Sequence, residues 1–386
     1  MRFVVVPVLA LGLSLSATLT LADTLVRFGR LDDAIRLTPW NVNYRLLRAT
    51  PADLEAARRI APDRSAVWIA LGLERETAGD NAAAERHLLR AASLDATFAP
   101  SWSLMNFYFR RGRSGDFWKW AAKGVRLTEG DVTGVYRLAV AEGGADAAWN
   151  RLAPFRPDAQ RQFVDLALQL DPAPTAGYSA GEALARAGRA KDREALLSLC
   201  ERAIAAGYPA RATGVWNAMA AAGLHRLGML DPESGRVLTN GGFREAPSGT
   251  GFDWRLPDRR GASLHPSASG LSIELTGMES GPAVLLRQVL PAIPGARYRL
   301  EGRFRAVRGS AAEGLWWRAG GVEWELGEGP REFAAPGPGS PTVVELILRR
   351  KQGRPNPEGA IVLESVTVES AGRSVLVTGL QEGKER

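Results

Sequence analysis

Trp68-Ile69-Ala70-Leu71-Gly72, with Ala84, Leu88 and Ala91 behind it, carries the heaviest structural signal in the chain. Its apolar residues recur at intervals of three and four, so the segments on either side of Gly79-Asp80 read as amphipathic helices. Glycine at position 79 can take the left-handed conformation that ends one helix, and Asp80 can cap the next. A step of 34 residues carries Trp68 to Trp102, Leu71 to Met105, Ala84 to Trp118 and Leu88 to Ala122. A helix hairpin repeated at a fixed period is expected to stack on its neighbours, because one hairpin alone cannot bury its apolar face.

The W-x2-L-G spacing of Trp68, Leu71 and Gly72, continued as A-x3-hydrophobic-x2-A through Ala84, Leu88 and Ala91, resembles the tetratricopeptide repeat. In the second copy Trp118 replaces a small residue and Asn106 replaces the glycine. Turns at Gly29, Gly112 and Gly188, with Asp32, Asp116 and Asp192 as caps, extend the pattern. Further helices are expected at 28–37, 44–49, 52–60, 160–170, 181–187 and 193–206. The likeness fades between 133 and 157, where Gly143-Gly144 interrupts it. It implies a superhelix whose first helices line a concave wall that holds protein segments. Carried over by position, the groove residues are Ile69, Leu73 and Glu76, then Ser103, Phe107 and Arg110. The competing reading of Trp68, Trp102, Phe107 and Trp120 is plain interhelical packing.

Beyond Asp231-Pro232 the texture changes to short alternating runs punctuated by Gly and Pro, the pattern of an antiparallel β-sandwich. Leu271, Ile273 and Leu275 alternate with polar residues, as do Tyr298, Leu300 and Phe304 with Arg297, Arg299, Arg303 and Arg305. Other runs at 283–290, 314–318, 322–326, 343–348 and 360–369 bring the count to about eight strands, which suits a jelly roll. Leu238-Thr239-Asn240-Gly241-Gly242-Phe243 followed by Trp254 resembles the opening of CenC-type carbohydrate-binding modules, and 358–366 resembles their closing strand. That resemblance implies sugar binding through Trp254, Trp316 and Trp317, with Arg299 and Arg303 available to an anionic glycan. It also raises a structural calcium ion through Glu245 or Glu364, although Arg244 and Glu364 depart from the pattern there. The alternating arginines read equally as the solvated side of a sheet, and Trp324 as core.

The remaining features narrow the function. The 386 residues exceed one ordinary core and suit several domains. The formal charge of +7 comes almost wholly from arginine scattered among acids, so nucleic acid is not an expected partner. The single cysteine, Cys200, falls in a helical pattern and reads as a buried thiol. Residues 3–22 are continuously apolar or small and end before Asp23, as in a cleaved export signal or a retained anchor. Gly177-Tyr178-Ser179-Ala180-Gly181 matches the nucleophile elbow of hydrolases, but no strand precedes it, and Ser179 with Glu182 reads as a capping box. His87, His225 and His265 are isolated, so neither a metal site nor acid–base chemistry is expected, and no cofactor.

The expectation is a multidomain α + β protein. Residues 1–22 form a signal peptide or membrane anchor, 23–232 a tetratricopeptide-like helical solenoid, 236–370 a jelly-roll β-sandwich and 371–386 a flexible polar tail. Its expected role is that of a non-catalytic, extracytoplasmic scaffold in the cell envelope, docking a protein through the helical groove. Envelope or extracellular polysaccharide would be met by the sandwich, as in exopolysaccharide assembly, with membrane contact only through the leader. A purely protein–protein scaffold and an accessory subunit of a carbohydrate-active enzyme are the alternatives.

Overall fold

The structure is a computed structural model that describes residues 2–152, 154–257, 262–278 and 281–371, with side chains described from residue 14 onward. Two compact units make it up, Met1–Pro154 and Phe155–Arg386.

The first unit is helical: α1 (Arg2–Arg27), α2 (Leu31–Leu37), α3 (Val42–Arg48), α4 (Pro51–Ile60), α5 (Ser65–Thr77), α6 (Asn81–Leu94), α7 (Phe98–Arg110), α8 (Ser114–Leu127) and α9 (Thr133–Leu152). Helices α1–α2, α3–α4, α5–α6 and α7–α8 pack as hairpins, and each hairpin touches the next. Helix α5 also touches α7, and α7 touches α9, so these three helices form a continuous wall. The turn glycines 29, 79 and 112 all have φ between 64° and 86°, the left-handed region expected of a helix end. Of the four aspartates expected to cap, only Asp80 does so, accepting from the Ala83 amide at 2.9 Å. Asp32 and Asp116 lie inside the first turn of α2 and α8, and Asp192 spends its carboxylate on Arg189 and Arg161.

The hairpin α5–α6 closes because Gly72 has no side chain. A Cβ there would sit 2.7 Å from the Leu88 side chain and 3.3 Å from the Ala84 carbonyl. One period on, the pair becomes Asn106 and Ala122, so the small residue has moved to the second helix. Trp118, which replaces Ala84, is buried and turned towards α9, where Gly143 makes room: a Cβ at 143 would lie 3.0 Å from its ring. Gly144, at φ 81°, breaks the helical course of α9 beside that contact.

Ala22 of α1 is fully buried with Ala34, Ile35 and Tyr44, and the Tyr44 hydroxyl donates to Asp23. Among the described residues no helix is long and apolar enough to cross a membrane.

The second unit opens with α10 (Pro157–Ala167), α11 (Thr175–Ala185), α12 (Arg193–Ala205) and α13 (Thr213–Ala221). It continues into β1 (Ala262–Ser267), β2 (Gly270–Thr276), β3 (Ala283–Leu290), β4 (Arg297–Gly309), β5 (Leu315–Ala319), β6 (Val322–Glu325), β7 (Arg331–Ala334), β8 (Thr342–Leu348) and β9 (Glu358–Ser370). These make a five-stranded sheet in the order β1-β2-β9-β4-β7 and a four-stranded sheet in the order β3-β8-β5-β6, every named pairing antiparallel. Their inner faces close on Trp254, Leu286, Tyr298, Leu300, Trp317, Leu346 and Leu363. β1 and β7, the two strands absent from the sequence reading, are the outer strands of the larger sheet. β1 contains Pro266, which an edge strand tolerates and a central one does not.

Chain texture places a boundary near Gly235, but the compact units divide at Pro154/Phe155. The reason lies in the packing of the last helices on the sandwich. Trp216 of α13 meets Phe252 edge to face at 5.5 Å. Glu201 of α12 accepts from the Arg255 guanidinium at 2.7 and 2.8 Å and from the Gly251 amide. A Cβ on Gly251 would strike the Trp216 ring at 2.5 Å, so the loop before β1 lies directly on α13.

Ser179 sits in the second turn of α11, whose N-cap position is Pro174, so it neither caps that helix nor occupies a strand-to-helix turn. Cys200 is fully buried in α12, and burial pushes its thiol up to about 12. From residue 372 on, the expected polar tail lies outside the described residues, as do the side chains before residue 14.

Candidate binding surfaces

The six groove positions lie on α5 and α7, and the structure brings three of them together. Arg110 donates to both carboxylate oxygens of Glu76, at 2.9 and 2.7 Å, and Arg111 adds a third bond at 3.1 Å. The Arg110 contact holds the Glu76 carboxyl below the usual range and raises the Arg110 guanidinium in return. Arg111 also lies over the Phe107 ring, 5.8 Å from its centroid. Leu73, one turn before Glu76, is 43% exposed, and Ile69 is half-buried behind it. The resulting patch is an exposed leucine beside a carboxylate shared by two arginines.

One groove assignment changes. Phe107 is 2% exposed and meets Tyr108 edge to face, so it stiffens α7 from within and offers no surface. Ser103 donates its hydroxyl to the Ala99 carbonyl within its own helix. Arg111 was missed because it is the C-cap just beyond the last residue of α7, where helical periodicity no longer assigns a face. Trp68 behaves as packing: its indole N–H reaches the Pro62 carbonyl at 2.7 Å and its ring meets His87 at 5.5 Å. Trp102 lies against α9, where a Cβ on Gly134 would come within 2.9 Å of it.

In the sandwich, the tryptophans part company by strand phase. Trp317 points inward and pairs with Trp324 across β5 and β6, both in the core. Trp254 is completely buried, tilted against Phe243, its N–H donated to the Asn240 carbonyl. Two of the three expected sugar platforms therefore present no ring. Trp316, opposite Glu325 and Ile347, is the half-buried one, and Arg349 covers its ring at 4.3 Å. The arginine comb along β4 is matched by carboxylates: Arg297 with Glu332, Arg303 with Glu301, Arg305 with Glu364 and Arg308 with Glu274. Arg299 faces Glu332 and Glu369 in register.

The opening motif has a packing explanation. Asn240 and Phe243 both adopt positive φ, near 50°. The Asn240 side chain bridges the Glu245 carbonyl and the buried Asp253, while Gly241 accepts from the Val366 amide at 2.8 Å. Gln288 of β3 ties the same loop down through Thr239 and Phe252. Glu364, one of the two residues considered for calcium, is spent on Arg305. Among the described residues no group of three His, Cys, Asp or Glu could hold a metal ion.

No protein-family model matches the chain, and no curated protein is similar to it in sequence. Among solved structures, a chain from "Functional Characterization of Pseudomonas Aeruginosa pilF" matches at 14% identity and a TM-score of 0.25, covering 54% of this chain and 88% of that one. A superposition that loose carries no argument about this chain. The helical-repeat description rests on the 34-residue step and the hairpin packing.

Proposed function

We propose that the protein is a non-catalytic scaffold that works outside the cytoplasm, and that a protein segment docks along the wall formed by α5, α7 and α9. The observation that carries this reading is Leu73, exposed beside the Glu76–Arg110–Arg111 cluster. An apolar anchor next to a fixed charge cluster is what recognition of an amphipathic segment requires. The apolar leader supports export, and the likeness of the sandwich to carbohydrate-binding modules supports a partner made of polysaccharide.

A photo-crosslinking residue at position 73 should trap one discrete protein in the native envelope, and Glu76→Arg should abolish the product. Equal trapping from Arg59, on α4, would overturn the reading. A second reading, a purely protein–protein scaffold, draws on the burial of Trp254 and Trp317 and the pairing of the β4 arginines. The two part on Trp316→Ala: lost retention on envelope polysaccharide favours the first, unchanged retention the second.

A further inference from the structure

A cleft of about 590 Å³ opens in the second unit between the α10–α11 connection, α11, α12 and the turn that follows α12. Of the sequence motifs only Gly177-Tyr178-Ser179-Ala180-Gly181 reaches it, through Tyr178. Its volume lies within the roughly 300–1,000 Å³ of small-ligand sites.

Its polar groups come from three places in the chain. Arg202 crosses its floor, held by the Leu168 and Leu170 carbonyls at 3.1 and 2.6 Å. Tyr178 is buried at its back, where desolvation raises its hydroxyl. Tyr208 stands 44% exposed at the rim with Arg211 lying over its ring at 4.5 Å. Among the described residues Arg211 makes no ion pair, while Arg202 pairs at 3.5 Å with Asp171, the one carboxylate in the lining, whose side chain is 94% exposed.

The rim is fixed in place. Gly207, at φ 79°, brings the backbone so close to Gly339 that a Cβ would lie 2.3 Å from its carbonyl oxygen. Tyr208 is therefore set against the loop joining β7 and β8, whose prolines line a smaller apolar hollow of about 130 Å³ on its other side. The walls between are Ala173, Ala203 and Ala206, short side chains that leave room for a ring.

A half-exposed aromatic ring, planar guanidinium and amide groups, and walls of alanine form a lining suited to a saccharide, since planar polar groups engage adjacent hydroxyls and the aromatic ring takes the sugar's apolar face. Two guanidiniums against one solvent-facing carboxylate add a preference for an anion. We propose that this cleft binds an acidic saccharide, with Arg211 and Arg202 on the carboxylate of a uronic acid residue and Tyr208 against its ring. The site shares with the proposed function only the class of ligand. It uses neither Leu73 nor Trp316.

The test is isothermal titration of the full chain with tetragalacturonate, with neutral cellotetraose and with a tetra-glutamate peptide. Tetragalacturonate should bind, weaken with added salt, and lose about tenfold or more in affinity with Arg211→Ala and again with Tyr208→Ala. Thermal unfolding of both variants should be unchanged, since both side chains sit at the exposed rim, and Trp316→Ala should bind as the parent does. Absence of binding, equal binding of cellotetraose, equal binding of the peptide, or loss confined to Trp316→Ala would each overturn the proposal. None of these outcomes bears on crosslinking at position 73, so the two readings fail separately.

Discussion

Asp53 shows how much one buried side chain can carry. It is 1% exposed, closes the first turn of α4 with Thr50, and receives Arg48 and Arg45. The Arg48 hydrogen bond, outweighing burial, lowers its carboxyl to about 2 from an ordinary 3.8. A depressed folded value means that the stabilisation is complete above the unfolded value near 4 and disappears as pH falls through about 2. Asp53→Asn should cost about 2 kcal/mol in urea unfolding at pH 6. That cost should shrink steadily between pH 4 and pH 2. A penalty independent of pH would show that the carboxylate charge is not what α4 depends on. At the same scale, the sequence marked Gly72 as the glycine of the W-x2-L-G spacing. It gave no sign that Asp53 would be buried, because its partners Arg45 and Arg48 belong to another helix.

At the scale of elements, periodicity located the helices well and misplaced several of their ends. Helix α11 begins at Thr175, well before the expected start at 181, because Pro174 opens the helix and Ser179 is left mid-turn. The second repeat holds together through a substitution that neither residue explains alone: Trp118 is too large for its place in the pattern, and Gly143 absorbs the excess. Gly143→Val should therefore destabilise the protein by about 1–3 kcal/mol. Combined with Trp118→Leu it should lose less than the two single changes added together, a coupling that a double-mutant cycle measures. Additive losses would mean that Gly143 serves only the break at Gly144. In the sandwich, the strands lost to sequence reading are both edge strands, which have one partner and so weak alternation. Neighbouring strand residues such as Trp316 and Trp317 face opposite ways, and which one faces the core was fixed only by the register with β6 and β8.

For the molecule as a whole, the boundary matters most to experiment. Fragment 155–386 keeps Trp216 on Phe252 and Glu201 on Arg255, whereas 235–386 discards both helical partners. The longer fragment should melt cooperatively, and the shorter one at a clearly lower temperature with early aggregation, as followed by circular dichroism and light scattering. Equal melting temperatures would show that the helices merely lie beside the sandwich. The sequence by itself determined the two classes of structure and the repeat step, because periodicity and turn glycines are local properties of a chain. Tertiary structure alone decided which aromatic rings reach the surface, which arginines are already paired, where the compact units divide, and that Arg202, Tyr178, Tyr208 and Arg211 meet in one cleft. Those facts depend on residues distant in sequence sharing one space, and no spacing along the chain encodes that.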